Sequence, residues 1–292
     1  MFPTELLEKK MLVVLLGATG VGKTDYSIDL AQQWNCPIVS CDSRQIYKEL
    51  NIGVAKPTAE QLCAVPHYFI GTRSITEDYT AGKYEHDALQ LLEQLFLQYS
   101  KVLLVGGSGL YIDALCYGID ATPPADEALR NQLEQQLTQD GIEPLLQQLQ
   151  LLDPEYCSTS QDLRNPRRVV RALEVCLTTQ KPYSQICTHQ AKSRPFDLQF
   201  TWLQRPREEL YQRIDSRVDA MFAAGLLEEA QQLLPHRHLN ALQTVGYREL
   251  FDYFDHKTTL DETVTLIKRN TRHYAKRQIS WFARYDATII DN

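Results

Sequence analysis

The chain has 292 residues, 43% of them apolar, which suits one sizeable core with room for a smaller inserted domain. Its net charge of −7 excludes indiscriminate binding to polyanions but leaves local basic patches free to act. No apolar run reaches the about 18 residues of a membrane span, and the seven cysteines, without a C-x-x-C pair, argue against zinc and for reduced, packed thiols.

The opening stretch, Met1 to Lys10, is short and mixed in charge and reads as no signal peptide, so a cytoplasmic location is expected. Leu12–Leu16 reads as a strand. Directly behind it stand Gly17, Ala18, Thr19, Gly20, Val21, Gly22, Lys23 and Thr24, a full G-x-x-x-x-G-K-[ST] loop, and Lys23–Trp34 reads as the helix that follows. A strand, a glycine loop and a helix N-terminus together build a phosphate cradle from backbone N–H groups. Lys23 supplies a point charge for the outer phosphate, and the Thr24 hydroxyl is placed to ligate Mg²⁺. A di- or triphosphate ligand is expected; what is done with it is not written in the loop.

Pro37–Cys41 forms a second strand that ends at Asp42. A carboxylate at this edge has two chemical uses, to hold Mg²⁺ or to act as a general base, and a third, structural one as a cap for the following helix. His67 sits after Pro66, where a hydrogen-bonded structural role outweighs acid–base chemistry. Tyr84–Tyr99 reads as a helix and Lys101–Val105 as a third strand, which runs into Gly106-Gly107-Ser108-Gly109 without an acid. The Ser108 hydroxyl in this second glycine turn is a candidate donor to a phosphate oxygen. Alternating strands and helices imply a parallel sheet with ligands at the carboxyl ends of its strands.

The character changes after Gly118. Glu127–Leu152 is rich in Gln and Leu at helical spacing, Arg164–Thr178 continues as helix, and Pro182 ends it, so an α-helical insertion is expected over 121–190. Phe196–Leu203 alternates as a returning strand. Helices then cover Arg207–Leu234, Ala241–Phe254 and Leu260–Tyr285. Two basic patches lie on these helices. Arg164, Arg167, Arg168 and Arg171 share one face by their i, i+3, i+4, i+7 spacing, and Lys268 to Arg284 holds six basic residues and no acid. Either could be a solvated helix face; two such patches in an acidic chain favour contact with a phosphate backbone. Trp281 and Phe282 suit stacking on a base, but at helical spacing beside Ile279 they read better as core.

The segments GATGVGKT (17–24), DSRQIYKELNIGVAKP (42–57), PHYFIG (66–71), LLVGGSGLY (103–111), NPRRVVRALEV (165–175), RIDSRVDAMFAAGLLEEA (213–230), QTVGYREL (243–250) and IKRNTRHYAKRQISWF (267–282) stand in one order along nearly the whole chain. In that set and order the chain resembles the tRNA dimethylallyltransferases, which prenylate N6 of the adenosine 3′ to the anticodon. The resemblance implies an α/β fold, with a phosphate-loop parallel-sheet core (1–120 and 191–292) and a small all-α insertion (121–190). It implies dimethylallyl diphosphate as donor, tRNA as acceptor, Mg²⁺ as cofactor, and a cytoplasmic monomer. The chain ends at Asn292 with no zinc-finger extension, from which a minimal enzyme of bacterial or organelle type is expected.

The roles implied by the resemblance follow residue by residue. Asp42 is the base toward N6. Residues 17 to 24, with Lys23 foremost, grip the diphosphate, Thr24 holds the metal, and Ser108 stands where the family carries threonine. Arg213 or Arg217 reaches the diphosphate from the other side, with Arg213 favoured and an ion pair to Asp215 or Asp219 as the alternative. Asp42, Ser43, Arg44 and Gln45 lie beside the unstacked base. The anticodon stem-loop meets Arg130, then Asn165, Pro166, Arg167, Arg168 and Val169. It further meets Gln243, Thr244, Val245, Gly246, Tyr247 and Arg248, and the helix through Thr271–Gln278 with Arg272, Lys276 and Arg277. A phosphate-loop small-molecule or nucleoside kinase is the competing reading, and a nucleotide-dependent switch is disfavoured because no N-K-x-D motif is present.

Overall fold

The computed structural model describes residues 9–124, 126–160, 162–188 and 190–291, so the reading of the opening stretch falls outside it save for Lys9 and Lys10. The chain divides into two compact units, one formed by residues up to Cys116 together with Ser193 onward, the other by Tyr117–Lys192.

In the larger unit the elements run β1 (Met11–Leu16), α1 (Lys23–Trp34), β2 (Ile38–Ser40), α2 (Ala59–Ala64), β3 (His67–Tyr68), α3 (Ala81–Leu95), β4 (Lys101–Val105) and α4 (Gly109–Tyr117). The smaller unit supplies α5 (Glu127–Asp140), α6 (Glu143–Leu152), α7 (Pro154–Thr159), α8 (Pro166–Thr179) and α9 (Tyr183–Ile186). The chain then returns with β5 (Asp197–Gln204), α10 (Arg207–Ala223), α11 (Leu226–Leu233), α12 (Tyr247–Phe254), α13 (Leu260–Phe282) and β6 (Thr288–Asp291).

Six strands form one sheet in the order β3-β2-β4-β1-β5-β6, and every pairing is parallel. β1 lies between β4 and β5, and Leu12 to Leu16 are no more than 1% exposed. Such an unbroken apolar run is what a strand covered on both faces requires. Ile28 and Ala31 of α1 pack with Val13, Ile38 and Leu103, while Leu210 and Ile214 of α10 pack with Leu15, Val21 and Leu203. The parallel sheet expected from the alternation is therefore present. The edge strands β3 and β6, of two and four residues, are too short to show a periodic pattern and were not expected.

Two stretches read as continuous helix are broken by glycine. Gly141 (φ +83) separates α5 from α6, and Gly225 (φ +100) separates α10 from α11. In each case the left-handed backbone that ends a helix is one only glycine adopts without strain.

The smaller unit has its own apolar centre, with Leu133, Leu145, Leu149, Val169 and Leu173 all nearly or fully buried. Glu174 of α8 is buried at its edge. Its carboxylate accepts from Arg130 Nη2 (2.7 Å), Arg171 Nη1 (2.9 Å) and the Asp126 backbone N–H (2.9 Å). Burial would raise its pKa, but the two guanidinium groups outweigh burial and hold it below the usual carboxylate range. Stability from this group is thus complete above the unfolded carboxylate pKa and is lost as pH falls through the depressed one. Glu174→Gln should cost about 2 kcal/mol within this unit, since a buried acceptor is lost while both arginines remain half-exposed to water. Hydrogen exchange in α5 and α8 should quicken about 30-fold at neutral pH, and unchanged protection there would refute the assignment.

Candidate active site

β1 delivers the chain into the glycine loop, whose backbone turns through left-handed positions at Gly20 (φ +86) and Gly22 (φ +108). Gly22 caps α1 without a side-chain partner, so the first N–H groups of that helix open toward a cavity of about 720 Å³. This is the arrangement in which a helix N-terminus receives an anion. Lys23 Nζ donates to the carbonyls of Gly17 (2.6 Å) and Ala18 (3.1 Å) and lines the cavity. Burial pushes its ammonium pKa down to about 8, with Asp42 opposing the shift and Arg217 adding to it.

Distant side chains hold the loop in place. Gln278 of α13 accepts from the Thr19 N–H (2.8 Å) and donates to the Gly107 carbonyl (2.9 Å), bridging the two glycine turns. Arg213 Nε donates to the Gly20 carbonyl (2.9 Å), and Arg217 Nη2 donates to Thr19 Oγ1 (2.8 Å). The alternative of an ion pair for either arginine is not met: Asp215 pairs with Arg272 and Asp219 with Lys268. Both Arg213 and Arg217 line the phosphate-loop cavity, and Arg217 lies deeper. It is half-buried where Arg213 is exposed, and it lines both this cavity and the next one.

At the end of β2, Asp42 Oδ1 accepts from the N–H groups of Arg44 (2.9 Å) and Gln45 (3.2 Å). No helix follows Asp42 directly, so its Oδ1 caps the turn at 43–46 instead; this occupies one oxygen only, and among the described residues Oδ2 has no hydrogen-bond partner. Ser108 differs from expectation. Its Oγ accepts from the Ser43 N–H (2.8 Å) and donates to Ser43 Oγ (2.9 Å), and it is not among the cavity-lining residues. Its immediate work is to fix the turn that carries Asp42. The two turns lie so close that a Cβ on Gly106 would come within 2.5 Å of the Cys41 carbonyl carbon.

A second, tighter cavity of about 90 Å³ adjoins the first, sharing Thr19, Asp42, Val54, Arg217 and Tyr274 with it. Its far wall is Thr244, Val245 and Gly246. Asp42 therefore stands at the junction of the phosphate-loop cavity and the second one. Tyr274 faces both; burial and the nearby Asp42 raise its phenol pKa, so it stays a neutral donor. His67 hydrogen-bonds the Val65 carbonyl (2.8 Å) and lines the first cavity, and burial lowers its pKa.

Several residues expected to meet RNA face inward. Val169 is fully buried in the smaller unit's core, and Arg130 is committed to Glu174. Tyr247 is fully buried, with its hydroxyl on Glu229 (2.7 Å). Arg272 pairs with Asp215, Lys268 with Asp219 and Arg284 with Asp113, so half of the basic run on α13 is engaged within the chain. Asn165, Pro166, Arg167, Arg168, Gln243, Arg248, Lys276 and Arg277 are exposed. Phe282 is fully buried, as the core reading has it, and Trp281 is half-buried with Arg284 over its ring at 4.2 Å. Gln278 and Tyr274 were missed as inward-facing site residues. The signal for Gln278 was a polar residue on the buried stripe Ile267, Ala275, Phe282 of a helix, where an unpartnered amide is costly.

Comparison with known proteins supplies the rest. The sequence model of the IPP transferase family matches residues 45–285. A tRNA dimethylallyltransferase of Porphyromonas gingivalis is 51% identical over 278 residues, covering 95% of this chain and 92% of that one. One from Phocaeicola vulgatus is 50% identical over 279 residues, covering 96% and 92%. The crystal structure of a tRNA isopentenylpyrophosphate transferase from Bacillus halodurans superposes with a TM-score of 0.70 at 34% identity, over 97% of this chain and 90% of that one. A eukaryotic dimethylallyltransferase acting on tRNA gives 0.79 at 28% identity, over 97% and 74%. By the extent of these matches, the chain is a member of the IPP transferase family, the tRNA dimethylallyltransferases.

Proposed function

We propose that this chain transfers the dimethylallyl group of dimethylallyl diphosphate to N6 of the adenosine 3′ to the anticodon in tRNA. The observation that carries the assignment of roles is the position of Asp42, with one carboxylate oxygen unpartnered, where the phosphate-loop cavity meets the second cavity. A kinase would need a phosphoryl acceptor in that place, and the family membership sets this alternative aside.

The amine of adenine is a weak nucleophile because its lone pair is delocalised into the ring. Asp42 Oδ2 takes the N6 proton as nitrogen attacks the allylic carbon. The carbon–nitrogen bond forms, the carbon–oxygen bond breaks, and its electron pair leaves with the diphosphate. Lys23, Arg217, Arg213 and the N–H groups of residues 20 to 24 face the charge that develops on the leaving group. A preorganised donor of this kind is worth about 3 kcal/mol. The Thr24 hydroxyl lines the same cavity. It would hold Mg²⁺, which takes few protein oxygens and completes its shell with phosphate and water. When bound, the ion neutralises diphosphate charge. Ser108 acts by fixing the turn of Asp42. The acceptor base enters beside Asp42, Ser43, Arg44 and Gln45, with Thr244, Val245 and Gly246 opposite. Exposed Arg167, Arg168, Arg248, Lys276 and Arg277 hold the anticodon stem-loop through its backbone. No helix among the described residues is long and apolar enough to cross a membrane, and a cytoplasmic monomer is part of this reading.

The assay combines the protein, Mg²⁺, labelled dimethylallyl diphosphate and an anticodon stem-loop. Label should stay on the RNA with adenosine at the target and be absent with guanosine. Asp42→Asn preserves the acceptor for Arg44 and Gln45 but removes the base, so turnover should drop about 10²–10⁴-fold with both substrates still bound. A rate near wild type would remove Asp42 from the base role.

Diphosphate affinity should be level between about pH 7 and 8 and weaken above that by up to about tenfold per unit, because Lys23 loses its charge near 8. An alkyl diphosphate completes its own ionisation near pH 6, so the profile reports on the protein. In Lys23→Arg the fall should vanish; a fall that persists would point to another group.

Lys276 and Arg277 have no acidic partner among the described residues. Replacing both with alanine should weaken tRNA binding and make the slope of log K against log salt shallower by about 1.5. An unchanged slope would return this face to solvent.

A further inference from the structure

The second cavity has two walls that meet at a single carboxylate remote from the chemistry. Glu229 of α11 accepts four hydrogen bonds. Its Oε2 takes the N–H groups of Asn51 (3.1 Å) and Ile52 (2.9 Å), and its Oε1 takes the Gly53 N–H (2.9 Å) and the Tyr247 hydroxyl (2.7 Å). Gly53 and Val54 form one wall of the cavity, and Thr244 to Gly246, immediately before Tyr247, form the other.

The hydrogen bonds run on from each wall. Gln45 Nε2 donates to the carbonyls of Val54 (3.1 Å) and Ala55 (3.0 Å), and the Gln45 N–H donates to Asp42 Oδ1 (3.2 Å). On the opposite side the Gly246 N–H donates to Glu249 Oε2 (2.8 Å), whose other oxygen accepts from Asn270 Nδ2 (2.7 Å). The walls also touch directly: a Cβ on Gly53 would come within 2.6 Å of the Tyr247 ring, which is fully buried and has nowhere to retreat.

We propose that Glu229 is a positioning residue that sets the spacing of the two walls of the acceptor cavity, and so the size of the nucleobase that reaches Asp42. This rests on the reading of that cavity as the acceptor side. The chemistry demands a carboxylate: four donors converge on it, and an ionised carboxylate offers about four acceptor sites and no hydrogen. Glutamine has the same shape, but one of its two terminal atoms would bring N–H groups against N–H groups. Released from the strut, the turn at 51–54 and the Tyr247 end of α12 move apart. Among the described residues Glu229 makes no hydrogen bond with the phosphate loop, and of the turn at 51–54 Val54 alone also lines the phosphate-loop cavity, so the donor side changes less than the acceptor side.

The test compares wild type, Glu229→Gln, Tyr247→Phe and Gly53→Ala on two anticodon stem-loops. One carries adenosine at the target; the other carries 2,6-diaminopurine, which keeps the 6-amino group and adds bulk at position 2. Wild type should favour adenosine. Glu229→Gln should raise KM for the adenosine stem-loop about tenfold, keep KM for dimethylallyl diphosphate within twofold, and cut the preference for adenosine at least fivefold. Gly53→Ala, which wedges the walls apart from the other side, should also cut the preference, and Tyr247→Phe, which removes one of the four donors, should do so more weakly. If Glu229→Gln does not fold, the other two variants decide. Lower activity with an unchanged preference for adenosine would overturn the proposal and leave Glu229 a merely stabilising group. Wild type that transfers nothing to either stem-loop would overturn the functional reading itself, and this proposal with it.

Discussion

The phosphate loop is a run of backbone polar groups with no ladder of its own to satisfy them, and the organisation of the larger unit follows from how they are satisfied. The Thr19 N–H goes to Gln278, the Gly20 carbonyl to Arg213, and the Gly17 and Ala18 carbonyls to Lys23. Two of these partners lie on α10 and α13, some two hundred residues along the chain. A loop that must present several N–H groups to an anion cannot also be rigid by itself, because the groups that would rigidify it are the ones the ligand needs. Borrowed side chains resolve this. Arg213 takes the Gly20 carbonyl and Gln278 the Thr19 N–H, while the loop's own Lys23 takes the other two carbonyls, and the helix N-terminus is left open.

Electrostatics at the junction follow from the same crowding. Lys23 and Arg217 are both depressed by burial, and Asp42 is the anionic neighbour that partly restores each. Two cations held together without a full counter-charge form a site whose missing component is an anion. In the reading proposed above a diphosphate supplies it and leaves as a stabilised group, so the charge that would bind the donor would also assist departure. The acceptor side has the opposite character. Away from Asp42, Arg44 and Arg217 its walls are backbone, apolar groups and neutral hydroxyls, which in the reading proposed above suits a planar uncharged base and a proton moving to Asp42.

The sequence left most of the site legible, and the exceptions share a cause. Motifs identify what a residue type is for when the backbone conformation is local, as in the turns at 17–24 and 106–109. They do not tell which way a side chain on a long amphipathic helix points when polar residues serve both faces. Arg272, Arg130 and Tyr247 carry the chemistry of RNA contact, yet tertiary packing turned each toward a carboxylate on another element. The run on α13 reads as six basic residues without an acid, but its acids come from α10 and α4. Ser108 was placed by its hydroxyl on the diphosphate, and the approach of two strand ends gave that hydroxyl a nearer partner.

By itself the sequence determined the phosphate loop, the parallel sheet behind it and the carboxylate at the end of β2. Each is written in consecutive residues whose φ/ψ needs, burial pattern or side-chain chemistry are local properties. Only the tertiary structure decided which of Arg213 and Arg217 lies deeper, that Gln278 joins two glycine turns, and that Glu229 joins two walls. These are hydrogen bonds between residues 18 to more than 250 positions apart. Their partners are chosen by which elements the buried core brings together, and no spacing along the chain encodes that choice.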